Sequence, residues 1–259
     1  MDVKIVSGCE VIDRLIGGIE NNLITAIYGP PGSGKSNFCL IFANEIAKSK
    51  KVIYIDTEGG FSIERFKQIN PNYEELLNNI IILKPTNFGE QRKAVRILKE
   101  IVNESIGAII VDTISMLYRA EIASQEELYS TNKELGKQIV LLTEIARKNN
   151  IPVIITNQVY SNFNSPGEVE MVGGDLLKYG SKCLLEIKKG RSSIRKMIVK
   201  KHRSIPEDKE ICFKIVESGF ELIEDGISNN SIANRESEGN GNREKEEEIQ
   251  KIKGKENYL

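Results

Sequence analysis

Gly29-Pro30-Pro31-Gly32-Ser33-Gly34-Lys35-Ser36 has the form G-x-x-x-x-G-K-[ST], and its reading decides the fold. Glycines at these places let consecutive backbone N–H groups turn inward around phosphates without a Cβ in the way. The N-terminus of a following helix adds positive potential. Lys35 is then within reach of the β- and γ-phosphates, and the Ser36 hydroxyl is a ligand for Mg²⁺. The spacing thus predicts ATP and Mg²⁺ as ligands, with Gly29, Pro30, Pro31, Gly32, Ser33, Gly34, Lys35 and Ser36 forming the cradle. A chance glycine-rich turn is the rival reading, and the flanks argue against it. Leu23–Tyr28 is a short apolar run with strand character, and Asn37–Ala43 reads as a buried helix. Strand, loop and helix in that order are the context the motif requires.

Working outward, apolar strand-like runs alternate with helical spacing. Val52–Asp56, Ile80–Leu83, Ala108–Asp112 and Pro152–Gln158 are predicted strands. Gly89–Asn103 has helical spacing, and from Gln125 to Asn149 the residues Leu128, Leu135, Ile139, Leu142 and Ala146 share one helical face. This alternation predicts an α/β fold with a mainly parallel central sheet flanked by helices. After Gly180 the rhythm changes. Lys182–Lys189, Ser193–Lys200, Glu210–Val216 and Phe220–Ile223 read as short strands, with Lys189–Ser192 a hairpin tip. They predict C-terminal antiparallel strands added to the sheet. The domain reading is a core over 1–226 and a charged, disordered tail over 227–259, where Asn, Ser, Gly, Glu and Lys dominate.

Composition sets the remaining bounds. The chain has 259 residues, 40% of them hydrophobic, and a formal net charge of −1. A core is within reach, and no global basic field announces nucleic acid. Four cysteines without C-x-x-C spacing read as reduced, buried thiols of a cytoplasmic protein. No apolar run approaches membrane-spanning length, so no membrane partner is expected.

Two acidic positions complete the candidate ATP site. Asp112 ends a buried strand, where a carboxylate beside the phosphate loop holds magnesium through water. Glu58, in Asp56-Thr57-Glu58-Gly59, stands at the same sheet edge, either to orient and deprotonate an attacking water or as a surface turn acid. Sequence spacing leaves that choice open.

The order of motifs over roughly residues 5–225 resembles the RecA/RadA recombinase superfamily. The matching segments are Ser7-Gly8, Ile12–Glu20, the phosphate loop, Tyr54–Gly59 with Glu64-Arg65, Ile110–Thr113, Thr156–Val159, Gly173–Asp175 and Lys188–Arg191. The resemblance implies a RecA-like P-loop ATPase core, with Glu58 as catalytic glutamate and Asp112 as the magnesium-holding aspartate. It further implies that Arg65 packs on the adenine and that Gln158 senses the γ-phosphate and passes it to the following loop. Lys35, Glu58 and Gln158 are accordingly the expected catalytic set. In relatives the peptide bond after the Asp112 position is often cis.

The chain also departs from a strand-exchanging recombinase. The sequence before the core has no room for the N-terminal DNA-binding domain of RadA or its polymerising linker, so a filament is not expected, and the oligomeric state is left open. The stretch Arg119–Glu127 has Arg119 but three glutamates, and Tyr160–Val172, the second expected DNA loop, has no Lys or Arg. Tyr179 stands where relatives often have a histidine. The departures point to a smaller archaeal paralogue of RadA. That implies an ATP-binding accessory protein of DNA repair and homologous recombination, with weak Mg²⁺-dependent ATPase activity, DNA binding and no strand exchange. Its implied partners are single-stranded or branched DNA, the RadA recombinase and a Holliday-junction resolvase. A strand-exchange recombinase, a non-DNA regulatory RecA-like ATPase and, last, a small-molecule kinase are the alternatives. Lys201 and Arg203 are candidates for a finger that enters a neighbour's ATP site, or for a DNA contact. Arg119, Lys189 and Arg191 are candidate DNA contacts; for the hairpin cations the rival reading is an edge strand guarded by charge.

Overall fold

The computed structural model describes residues 4–122, 124–161 and 169–223. In chain order the elements are β1 (Lys4–Ile5), α1 (Glu10–Ile16), β2 (Ile19–Glu20), β3 (Ile24–Tyr28), α2 (Lys35–Ala47), β4 (Lys51–Asp56), α3 (Ile63–Ile69), α4 (Tyr73–Leu77), β5 (Ile80–Leu83), α5 (Phe88–Ile101) and β6 (Ile106–Asp112). There follow α6 (Met116–Glu121), α7 (Gln125–Asn149), β7 (Val153–Asn157), β8 (Val159–Ser161), β9 (Val169–Met171), α8 (Gly174–Gly180), β10 (Cys183–Lys189), β11 (Arg195–Lys201), β12 (Glu210–Val216) and β13 (Gly219–Leu222). The expected α/β class, the parallel sheet and the antiparallel C-terminal strands are all present. The expected tail at 227–259 lies outside the described residues.

Among the described residues nine strands form one sheet in the order β13-β12-β11-β10-β3-β7-β6-β4-β5. From β10 to β5 every pairing is parallel; β10, β11, β12 and β13 pair antiparallel. The parallel strands are apolar at nearly every position because helices cover both faces, so period-two alternation carries no polar side. In β3, for example, Ile27 joins the core beneath α1 and α2, while Ile24, Ala26 and Tyr28 join the core beneath α5, α7 and α8. β4 divides in the same way, Val52 and Tyr54 against Ile53 and Ile55. The two cores clamp the sheet and fix the height at which β3, β4, β6 and β7 end.

Three expectations change. β10 and β11 lie inside the sheet, so charge guarding an edge strand does not explain the hairpin cations. The Arg119–Glu127 stretch is largely helix terminus rather than open loop. Arg119 and Glu121 close α6, and Ser124 with Glu127 forms a capping box on α7, which engages one of the three glutamates. The Tyr160–Val172 segment is a ribbon at its base, Val159 paired with Met171 and Ser161 with Val169; its centre lies outside the described residues.

Candidate ATP site

Four parallel strands deliver the site residues to one edge. β3 runs into Gly29, β4 ends at Asp56, β6 at Asp112 and β7 at Asn157, with Asp56 and Asp112 opposite each other in register. This is where ligands bind in an open α/β sheet.

The phosphate loop leaves β3 with no room to spare. A Cβ on Gly29 would lie 2.4 Å from the backbone oxygen of Ile187 in β10. Gly34, at φ 114°, caps α2, and a Cβ there would press on Ile215 and Phe220. Gly29→Ala is therefore expected to force β3 from β10 and to cost about 1–3 kcal/mol. A urea midpoint unchanged from the parent protein would refute this.

Lys35 is 7% exposed, and its Nζ donates to the carbonyls of Gly29 (2.8 Å) and Pro30 (3.1 Å). These carbonyls satisfy the ammonium as phosphate oxygens would. Burial lowers its pKa, opposed by the charges of Asp112 and Glu58, while nearby Lys189 lowers it further. Ser33 Oγ is buried inside the same loop with no partner among the described residues, a donor open to a phosphate oxygen.

Asp112 is 2% exposed and accepts from the Tyr54 hydroxyl (2.8 Å), the Thr156 hydroxyl and the Ser36 hydroxyl. Burial raises its pKa, and these three donors oppose the rise. With its oxygens engaged by protein hydroxyls, Asp112 suits a hold on Mg²⁺ through water, with the Ser36 hydroxyl as a further oxygen. The donor set fits the cation.

Glu58 is positioned by a knot across the sheet edge. Asp56 accepts the backbone N–H of Gly60 (2.9 Å) and Phe61 (3.1 Å), which shapes the turn. Thr57 and Thr113 exchange two hydrogen bonds, hydroxyl to carbonyl at 2.7 Å and N–H to hydroxyl at 2.9 Å. The Asp112–Thr113 bond is cis, as expected. Thr113 Oγ1 then donates to Glu58 Oε1 (3.1 Å), and so does Gln158 Nε2 (2.5 Å). Lys35, Ser36, Glu58 and Gln158 line one cleft of about 330 Å³, with Asn37 and Ile215 on its far wall. Of these, Thr57, Thr113, Asn37 and Ile215 have no site role in the sequence reading. The threonines had a signal: Asp56-Thr57 and Asp112-Thr113 are the same dipeptide at the ends of two paired strands.

The remaining candidates fall in three places. Arg65 stands behind the cleft lining, against Asn37. Its Nε donates to Asn37 Oδ1 (2.6 Å) and its Nη2 to the Val216 carbonyl (2.5 Å), tying α3 to α2 and the β12–β13 turn. Lys189 lies beside the phosphate loop, 3.2 Å from where a Gly32 Cβ would be, and Arg195 donates to the Gly32 carbonyl (3.3 Å). Arg191 is exposed at that hairpin's tip, and Arg119 is exposed at the end of α6. Lys201 and Arg203 sit at the other end of the sheet. β11 runs antiparallel to β10, so its last residue is next to the first residues of β10. They cannot reach their own chain's phosphate loop.

The Rad51 family matches residues 2–224. A protein of Methanococcus maripaludis strain C7, "DNA repair and recombination protein RadB", is 46% identical over 82% of this chain and 97% of its own length. Proteins of the same description from Methanobrevibacter smithii and Methanocaldococcus jannaschii are 40% and 43% identical, covering 84% and 81% of the chain. A solved structure described as "Crystal structure of the RadB recombinase" superposes with a TM-score of 0.73 at 35% identity, over 85% of this chain and all of that one.

Proposed function

The chain belongs to the Rad51 family, among its RadB proteins, and from that premise we propose that it is an ATP-gated DNA-binding accessory protein of recombinational repair. The observation that carries the reading is the Gln158–Glu58 hydrogen bond at the mouth of the cleft. One side chain joins the hydrolytic carboxylate to the start of the β8–β9 ribbon.

ATP and Mg²⁺ are the expected ligands. Lys35, Ser33 and the loop N–H groups would hold the triphosphate, and Ser36 with Asp112 would hold the cation, which would neutralise phosphate charge. Glu58, held through Oε1 by Thr113 and Gln158, would accept a proton from a positioned water on its other carboxylate oxygen. Arg65 and Asn37 border the place for the base. Nothing in this set demands fast turnover, and weak hydrolysis with ATP acting as a conformational ligand fits it. A γ-phosphate would compete with Glu58 for the Gln158 amide and so bias the ribbon.

The partners that follow are single-stranded or branched DNA, the RadA recombinase and a Holliday-junction resolvase, in the cytoplasm. Strand exchange is not part of the proposal, because Tyr160–Val172 carries two glutamates and no Lys or Arg. The test is DNA affinity measured without nucleotide, with ATP and with a non-hydrolysable analogue, on both DNA forms, alongside ATPase rate and particle mass. Nucleotide is expected to change DNA affinity by about fivefold or more. Equal affinities in all three states would sink the gating, and vigorous DNA-stimulated turnover with long assemblies would restore the recombinase.

A further inference from the structure

Two glutamines occupy places where the helix pattern calls for apolar side chains. In α5 the buried residues are Phe88, Gln91, Val95 and Leu98, and Gln91 is 0% exposed. In α7 Gln138 stands among Leu135, Ile139 and Leu142, all buried, and is 3% exposed. A buried amide costs free energy unless its polar atoms are paired, so what each glutamine bonds to decides why it is there.

The two meet between the helices. Gln91 Nε2 donates to Gln138 Oε1 (3.0 Å) and to the Ile114 carbonyl (3.2 Å). A carbonyl can only accept, which sets the nitrogen of Gln91 toward it. Gln91 Oε1 and Gln138 Nε2 are buried with no partner among the described residues. A pair satisfied on one side only stabilises a core less than two apolar side chains of similar shape. The pair therefore makes sense by what it holds.

Ile114 is in the short segment that joins β6 to α6, and its N–H donates to the Thr156 carbonyl in β7 (3.1 Å). Before it, Thr113 is tied to Thr57 and donates to Glu58 Oε1 (3.1 Å). After it, Ser115 Oγ accepts the backbone N–H of Gln158 (3.3 Å). The two peptide units of Ile114 are thus pinned, one on β7 and one on α5. The mount on α5 is itself fixed. Asn87 Oδ1 accepts the Glu90 N–H (2.9 Å), and the Glu90 carboxylate accepts from the N–H and hydroxyl of Thr86 (both 2.8 Å). Gln91 stands outside the lining of the ATP cleft, so its influence passes through Ile114.

We propose that Gln91, oriented by Gln138, is a positioning residue for ATP hydrolysis: through Ile114 it sets Thr113, and through Thr113 the aim of Glu58. This role rests on the reading of Glu58 as the hydrolytic base.

Gln91→Met keeps the length of the side chain and removes the donor. Single-turnover phosphate release, with protein in excess over Mg²⁺-ATP, measures the chemical step; displacement of a fluorescent nucleotide measures affinity, and a urea midpoint the fold. Gln91→Met is expected to slow the step about tenfold or more, since a misplacement of about 1 Å costs up to about a hundredfold. ATP affinity should stay within about threefold, because the contact is made outside the cleft. In a Thr113→Val background the same substitution should slow the step by no more than about twofold further, because the route to Glu58 is already cut. Adding Gln138→Met to Gln91→Met puts two apolar side chains in contact, which should restore the urea midpoint without restoring the rate. A Gln91→Met rate within about threefold of the parent, an undiminished fall in the Thr113→Val background, or recovery of rate together with the midpoint overturns the role. Glu58→Gln is run alongside. Turnover lost there and kept in Gln91→Met overturns the positioning role alone, and turnover kept in both overturns that role and the hydrolytic reading together.

Discussion

Glu58→Gln is expected to lower ATP turnover by about 10²–10⁴-fold while ATP affinity stays within a few-fold of the parent. Two carboxylates stand at the end of β4, and of the two Glu58 lines the cleft. Asp56 is 2% exposed and spends its oxygens on the N–H groups of Gly60 and Phe61, so its role is to shape the turn. Glu58 lines the cleft with Lys35 and Ser36, and its Oε1 is oriented by Thr113 and Gln158. A glutamine in its place keeps the volume and an oxygen that accepts both hydrogen bonds. What it loses is basicity. A hundredfold fall corresponds to about 2.7 kcal/mol of transition-state stabilisation. Phosphate release at saturating ATP and Mg²⁺ measures the first quantity, and displacement of a fluorescent nucleotide the second. Turnover within threefold of the parent would remove Glu58 from the chemistry and return it to the reading of a surface turn acid.

Much of this site was legible because its parts are local. The phosphate loop needs only its own glycines and the flanking strand and helix. Apolar runs ending in Asp56 and Asp112 announce strands that finish at one edge, and the sheet places those two residues opposite each other. What escaped the sequence depends on pairing between distant segments. Lys189 and Arg195 look like surface cations until β10 is seen to lie against β3, which puts the hairpin beside Gly32. Lys201 and Arg203 look like neighbours of that same hairpin, yet the antiparallel course of β11 carries them to the far end of the sheet. The misreading of Arg119–Glu127 has a different cause. Ser124-x-x-Glu127 is a capping-box signature, and its glutamate was weighed only as a negative charge. Charge counted without a partner is a poor guide to what a residue repels.

Gln158→Ala is expected to abolish the dependence of DNA affinity on ATP, a coupling of about 5–150-fold in proteins that use such switches, with ATP affinity itself little changed. The residue sits at the junction between β7 and β8, and its backbone is held on both sides. Its N–H donates to Ser115 Oγ (3.3 Å), and its carbonyl accepts the Val172 N–H at 3.1 Å. Asn157 Nδ2 fixes the Val172 carbonyl at 2.8 Å. The ribbon's two strands therefore begin and end on this one residue and its neighbour. Only the side chain faces the cleft, where it rests on Glu58. A γ-phosphate offers that amide a more highly charged acceptor, and a change of partner is passed to Val159 and Val172 through a backbone already clamped. Alanine keeps the clamp and deletes the sensor. Glu58 retains Thr113 as a donor, so hydrolysis should fall far less than in Glu58→Gln. DNA affinity of this variant, with and without a non-hydrolysable analogue, should give a ratio near one. A ratio equal to the parent's would mean that the nucleotide signals through another element, and the β12–β13 turn held by Arg65 would be the next place to look.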